Sequence, residues 1–177
     1  MADPVRTNHA IAEEDGLRAD LYDLLSLLLA RAPNRALIDR VAALSGDETP
    51  LGQGIGALSR VARASTERAL QREFNALFIG VGRGELLPYG SYYITGFLHE
   101  KPLALLREDM DRLQITRAEN VYEPEDSIAS LMEMMAGLIR GRFADPAALE
   151  TQKDFFFRHI APWAGHFFDD LAKARHS

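Results

Sequence analysis

Apolar side chains recur at helical spacing along nearly the whole chain. Between Ala10 and Arg31, Leu17, Leu21, Leu24, Leu25, Leu28 and Leu29 share one broad helix face, and Pro33-Asn34 ends it. A shorter helix is predicted over Ala36–Leu44. Ser45 to Gly56 then holds four Gly and one Pro in twelve residues, which predicts a flexible loop. Ser65 or Thr66 is placed to cap the next helix, with Glu67 in its first turn. Leu70, Phe74, Leu77 and Phe78 stripe its inner face, and Gly80 is placed to end it in a left-handed conformation. Residues 80–90, rich in Gly and containing Pro88, predict a second flexible loop.

Ser91 can cap a short helix through Glu100, against the β-propensity of Tyr92-Tyr93-Ile94-Thr95. Pro102 opens a helix to about Ile115. Pro124 suits a first helical position, and its helix is predicted to reach Phe143, burying Ile128, Leu131, Met132, Met135 and Ile139. Asp145-Pro146 offers a cap and a first-turn proline for a helix ending near Pro162. A last helix covers Ala164 to Arg175. No segment alternates as a half-buried strand does. The expected fold is an all-α, single-domain helical bundle over residues 1–177, of about seven to nine helices, with frayed ends at 1–9 and 172–177.

The length of 177 residues suits one domain, and 47% hydrophobic with 26% charged residues is the balance of a folded, soluble chain. Acidic residues outnumber basic ones by 26 to 20. That excess argues against nucleic acid as a partner and is compatible with a cationic peptide. The absence of cysteine excludes disulfides, thiolate nucleophiles and thiolate metal sites, and points to a reducing compartment. Met1 to Thr7 carries no secretory pattern. The longest apolar run, Leu24 to Ala30, is interrupted by Ser26 and is too short for a membrane span. A cytoplasmic protein without stable membrane association is expected.

Enzyme signatures are weak. Gly80-Val81-Gly82-Arg83-Gly84 follows a helix instead of a strand and lacks the lysine of a phosphate loop, and Gly52-Gln53-Gly54-Ile55-Gly56 is no better. His159 and His166, with Asp169 or Asp170, offer a small metalloenzyme as one reading. Their spacing of seven, however, differs from the three or four of a compact helical site, and a structural role for His159 is the alternative. No metal or cofactor is expected. Ser91, Ser127 and Ser130 have no local His, and nothing in the sequence raises a carboxyl pKa for acid–base work.

Glu123-Pro124-Glu125-Asp126 is the feature left over, because it opens directly into a helix rich in Met132, Met134 and Met135. Carboxylates beside a helix N-terminus are ordinary stabilisation, and they are also placed to meet an incoming cation. The Met cluster either fills a core or forms a compliant apolar groove. Tyr89, Tyr92, Tyr93 and Phe97 are either packing residues or a rim for a peptide.

Four segments in order resemble the TorD/DmsD family of chaperones for redox enzymes, relatives of the NarJ-type chaperones. They are Glu73-Phe74-Asn75-Ala76-Leu77-Phe78-Ile79-Gly80, Leu87-Pro88-Tyr89-Gly90-Ser91-Tyr92-Tyr93, Glu123-Pro124-Glu125-Asp126-Ser127-Ile128 and Phe157-Arg158-His159-Ile160-Ala161-Pro162-Trp163. The resemblance runs from about Ala10 to Leu171. It implies an all-helical chaperone, not an enzyme, that binds the twin-arginine signal peptide or another part of a molybdenum-cofactor oxidoreductase precursor until cofactor insertion and folding are complete. It also implies a monomer or a domain-exchanged dimer.

Carried over by position, Tyr89, Ser91, Tyr93, Glu123, Pro124 and Asp126 are peptide-binding candidates. Tyr92, Glu125 and Met132 join them from the residue-level reading, with the acidic side chains on the arginines and Tyr89, Tyr92 and Met132 on the apolar part. Leu77, Phe78, Gly80, His159, Pro162 and Trp163 are candidates for architecture. Ser127 stands where the family often has His, and Leu87 and Gly90 depart from the common Pro and Glu. The rival readings are a leader-independent assembly adaptor for a catalytic subunit and the metalloenzyme above.

Overall fold

Thr49 is where the chain first departs from its apparent loop character. Its side chain accepts a hydrogen bond from the Gly52 N–H, Pro50 takes the first turn, and a helix runs on from there through the glycines. The computed structural model describes residues 11–80, 83–117 and 123–176. Among them are nine α-helices and one π-helical turn, with no strand beyond a single antiparallel bridge between Tyr89 and Ser127. The all-α expectation holds.

The chain divides into two compact units. The first comprises Met1–Ser26 and Tyr89–His166, and the second Leu27–Pro88 and Phe167–Ser177. The helices are α1 (Glu13–Ala30), α2 (Arg35–Ala42), α3 (Pro50–Ala64), α4 (Glu67–Phe74), α5 (Gly90–Thr95), α6 (Lys101–Arg112), α7 (Ile128–Arg140), α8 (Leu149–His159) and α9 (Ala164–Lys173).

The first unit is organised around α7, of whose 13 residues ten are buried. Leu103, Leu106 and Met110 of α6 and Phe155 of α8 supply further buried apolar side chains. Arg140 at the end of α7 and Arg142 just beyond it pair with Asp20 and Asp23 of α1, and Gly141 closes α7 at a φ of 68°.

In the second unit α2 packs on α3, and α4 continues into the π-helical turn Asn75–Ile79. Asn34 and Thr66 cap α2 and α4 through their side chains. Gly80, at a φ of 58°, ends the π turn. Leu77 is buried and Phe78 half-buried, its ring 4.9 Å from that of Phe74.

Several boundaries differ from those predicted. The loop expected over 45–56 stops at Thr49, because Gly46 and Gly52 serve close packing: a Cβ on Gly46 would lie 1.7 Å from the Gly52 carbonyl oxygen. The helix assigned to Pro124 starts at Ile128, since Ser127 is its cap. The one assigned to Pro146 starts at Leu149. Ser91 caps nothing and lies inside α5, which ends at Gly96 with a φ of 83°. At the C-terminus, residues 172 and 173 belong to α9. Beyond them the Arg175 N–H and His176 imidazole hold Glu85, at 2.8 and 2.6 Å, so residues 172–176 are not a frayed tail. The segment 1–9 and residues 81 and 82 of the second predicted loop lie outside the described residues.

Candidate functional site

Two segments more than thirty residues apart in sequence meet in the first unit. The Gly90 N–H donates to the Asp126 carbonyl at 2.9 Å, and the Ser91 N–H donates to Asp126 Oδ2 at 2.6 Å. Asp126 therefore clamps the start of α5 to the entrance of α7. The close approach depends on Gly90, where an added Cβ would sit 3.0 Å from Trp163 Nε1. Trp163 is 1% exposed, donates its indole N–H to the His159 carbonyl at 2.8 Å and packs on the Tyr93 ring at 5.4 Å. Pro162 lies in the short connection between α8 and α9.

The three carboxylates of the 123–126 segment have three different environments. Glu125 is buried and accepts hydrogen bonds from Arg107 at 2.8 Å and Arg117 at 3.1 Å. Burial alone would raise its pKa, but Arg107 and then Arg117 outweigh that and hold the carboxyl below its usual range. Its charge is spent inside the protein, which corrects the expectation that it faces an incoming cation. Asp126 is 3% exposed. Glu123 alone is exposed, and its Oε1 accepts the Tyr89 hydroxyl at 3.2 Å. Burial, with the Glu123 charge beside it, pushes the Tyr89 phenol up to about 12, so it stays a donor at neutral pH.

Met132 also requires correction. It is 3% exposed, and Met110, Met134 and Met135 are buried as well. These methionines fill the core and line no open groove. Tyr92 and Tyr93 are half-buried on α5.

A groove of about 460 Å³ does open beside the clamp. Ile94, Pro102, Leu105, Leu106, Leu131 and Pro162 form its apolar walls, and Lys101, Asp126, Arg158 and His159 supply its polar groups. Ile94, Phe97, Leu98 and Leu105 are exposed, so the apolar surface extends along α5, α6 and their connection. Sequence reading missed Ile94, Leu105 and Leu106. The available signal was an excess of apolar positions between Ile94 and Leu106 over what one inner stripe of a short helix uses.

Behind the groove, His159 Nε2 lies 2.7 Å from Asp109 Oδ2, and Arg112 and Arg158 also donate to this carboxylate. Burial lowers the His159 pKa despite the Asp109 charge, so a neutral imidazole donates its Nε2–H. Asp109 stays below the usual carboxylate range: burial opposes this, but the bonds from His159 and Arg112 prevail. The His159–Asp109 contact joins α8 to α6. Among the described residues no three His, Asp or Glu side chains are grouped so as to hold a metal. None of the helices described is long and apolar enough to cross a membrane.

A model of the nitrate reductase delta subunit family matches residues 45–169, well over half of the chain. The chain belongs to this family. It is 30% identical over 170 residues to the chaperone protein TorD of Vibrio cholerae, covering 85% of this chain and 77% of the relative. It is 30% identical over 120 residues to the Tat proofreading chaperone DmsD of Haemophilus influenzae, covering 64% of this chain and 56% of that one. In fold it is similar to a crystal structure from Archaeoglobus fulgidus described as a redox enzyme maturation protein. That match has a TM-score of 0.54 and 22% identity, and covers 87% of this chain and 85% of the other. The delta-subunit family member described here is thus a chaperone of the TorD/DmsD class and not an enzyme.

Proposed function

We propose that this chaperone acts in the cytoplasm on the precursor of a molybdenum-cofactor redox enzyme, receiving its twin-arginine leader, or another extended segment, in the groove of the first unit. The observation that carries the reading is that groove: apolar walls continuous with exposed Phe97 and Leu98, next to the one exposed carboxylate of the 123–126 segment. A leader is disordered and offers two cations followed by an apolar stretch. Glu123 suits the cations, with Tyr89, Tyr92 and Pro124 beside it, and the groove suits the apolar part. Ordering such a segment costs conformational entropy, so affinity is modest for the area covered. Delayed export would follow from occupancy of the leader.

Calorimetric titration with leader peptides of redox enzyme precursors, beside the same precursors lacking their leaders, tests this. Saturable binding of one leader, lost when Leu105 is changed to Glu, is the expected result. Binding of the leaderless precursor with no response to any leader would replace this reading with the adaptor one.

A further inference from the structure

The second unit is built from two stretches of chain, and a single carboxylate ties the end of one to the end of the other. Glu85 Oε1 accepts the Arg175 N–H at 2.8 Å, and Glu85 Oε2 accepts the His176 Nδ1–H at 2.6 Å. The Arg175 N–H, and after it His176, hold the Glu85 carboxyl below its usual range, so it is ionised at neutral pH. The main chain at Glu85 is anchored in the other direction. The Glu85 and Leu86 N–H groups donate to the Ala76 and Leu77 carbonyls of the π-helical turn, at 3.2 and 2.8 Å. Carbonyls at a helix end need such outside donors. One residue thus joins three layers: the π turn, the return segment 83–86 and the C-terminal turn.

Apolar burial contributes little to the outer layer. Helix α9 is anchored by Phe167, which is 0% exposed. Beyond Lys173 the chain offers Ala174, Arg175 and His176, none of them a large apolar residue, and the last two are exposed. In the return segment Arg83 is exposed, and the close approach is made by backbone: a Cβ on Gly84 would lie 2.4 Å from the Phe78 carbonyl carbon. Segments held by a few hydrogen bonds instead of buried apolar surface open locally while the rest of the fold stays closed. The bonds to the Glu85 carboxylate favour the closed form by a factor of about ten to a hundred. Opening is bounded on both sides, by α9 at Lys173 and by Pro88, which is buried. The part released is therefore 83–87, which leads into the Pro88–Tyr89 junction where the chain passes from the second unit to the first.

We propose that residues 174–176 are a strap, closed by Glu85, that sets the slack in the connection 83–87, and that it opens and closes without unfolding the second unit. Whatever occupies the C-terminal turn thereby loosens the chain that leads into Tyr89. The inference is independent of the groove being the client site.

Amide hydrogen exchange of the full chain, resolved at single residues, tests this. The Leu86 N–H, bonded to the Leu77 carbonyl, reports the return segment. The Leu70 N–H of α4 and the Gln53 N–H of α3, bonded to the Thr66 and Thr49 carbonyls, report the rest of the unit. Glu85→Ala removes both strap bonds and should lower the protection of Leu86 about tenfold or more, leaving Leu70 and Gln53 unchanged. His176→Ala removes one bond and should lower it about threefold to tenfold. The double variant should match Glu85→Ala, because both changes break the same contact. Tryptic cleavage after Arg83 in the folded protein should rise in the same order. Unchanged protection of Leu86 in both single variants would overturn the proposal. So would a loss shared equally by Leu70 and Gln53, which would make the contact part of the unit's cooperative core. If Glu85→Ala does not fold, His176→Ala decides alone, since it alters an exposed side chain.

Discussion

Helix α7 in the first unit and helices α3 and α4 in the second are equally regular, yet they are stabilised differently. Ten of the 13 residues of α7 are buried, against three of 15 in α3 and none of eight in α4. The charges differ too: the first unit carries 18 acidic and 10 basic residues, the second 8 acidic and 10 basic. Helical periodicity is the same signal in both places, so it reveals the helices without revealing which of them anchors a core. Met135, 1% exposed, and Val61, 58% exposed, make the contrast measurable. Met135→Ala should lose about 2–5 kcal/mol through lost burial and the cavity left behind. Val61→Ala should change stability by less than about 0.5 kcal/mol. Urea denaturation of each variant compares them, and similar losses would mean that α3 is far better buried in solution than its exposure suggests.

Within the second unit, two glycines of one apparent loop should respond with opposite signs. A Cβ on Gly46 would collide with the Gly52 carbonyl, whereas one on Gly54, inside α3, meets nothing within 4 Å. Gly46→Ala therefore forces a backbone shift and should cost about 1–3 kcal/mol. Gly54→Ala relieves a helix interior of its most flexible residue and should gain about 0.5–1 kcal/mol. Thermal melts of the pair decide the matter. Equal effects would mean that residues 45–49 do not hold the backbone approach described above.

These glycines also show what the sequence conceals. Composition marks residues 45–56 as a loop because glycine is common in loops, but the same residue allows backbones to touch, and only the partner segment distinguishes the two uses. The 123–126 segment has the same ambiguity. Three carboxylates in four residues look like one acidic surface, yet Arg107 and Arg117 arrive from other parts of the chain to occupy Glu125, and Asp126 turns inward to Ser91. The all-α class and the Thr66 cap were legible because they depend on nearby residues, whereas the Thr49 and Ser127 caps were not assigned. Which carboxylate stays exposed, and that Met132 lies inside, depend on long-range packing and were not legible.

Acid should separate the buried network of the first unit from the exposed pairs elsewhere. His159 is held below its ordinary value of about 6.5, chiefly by burial. The unfolded chain then binds a proton that the folded chain refuses, so stability should begin to fall as pH drops below about 6.5. Asp109 and Glu125 are held below the usual carboxylate range by their partners. Their contributions are complete above a pH of about 4 and disappear as pH falls through their folded values. Urea midpoints from pH 8 to 5 should therefore decline in the native chain and stay flatter in His159→Gln, which keeps a donor for Asp109. A flat native profile over that range would place His159 in contact with water.

The smallest expected difference lies between two arginine–carboxylate pairs. Arg35 and Asp39 pair across one turn of α2 with both side chains more than half exposed. Arg107 pairs with a Glu125 side chain that is 9% exposed and that Arg117 also holds. Water and salt screen the first pair, so Arg35→Gln should cost no more than about 0.5 kcal/mol and less at high salt. Removing Arg107 leaves a buried carboxylate with one cation instead of two. The remaining arginine limits the damage, so Arg107→Gln should cost about 1 kcal/mol, well below the loss expected for an orphaned buried charge. Adding Arg117→Gln should then cost more than either change alone, because the second removal strands the charge. Additive losses in that double variant would mean that water reaches Glu125, and the carboxylate would again be open to a client's cations.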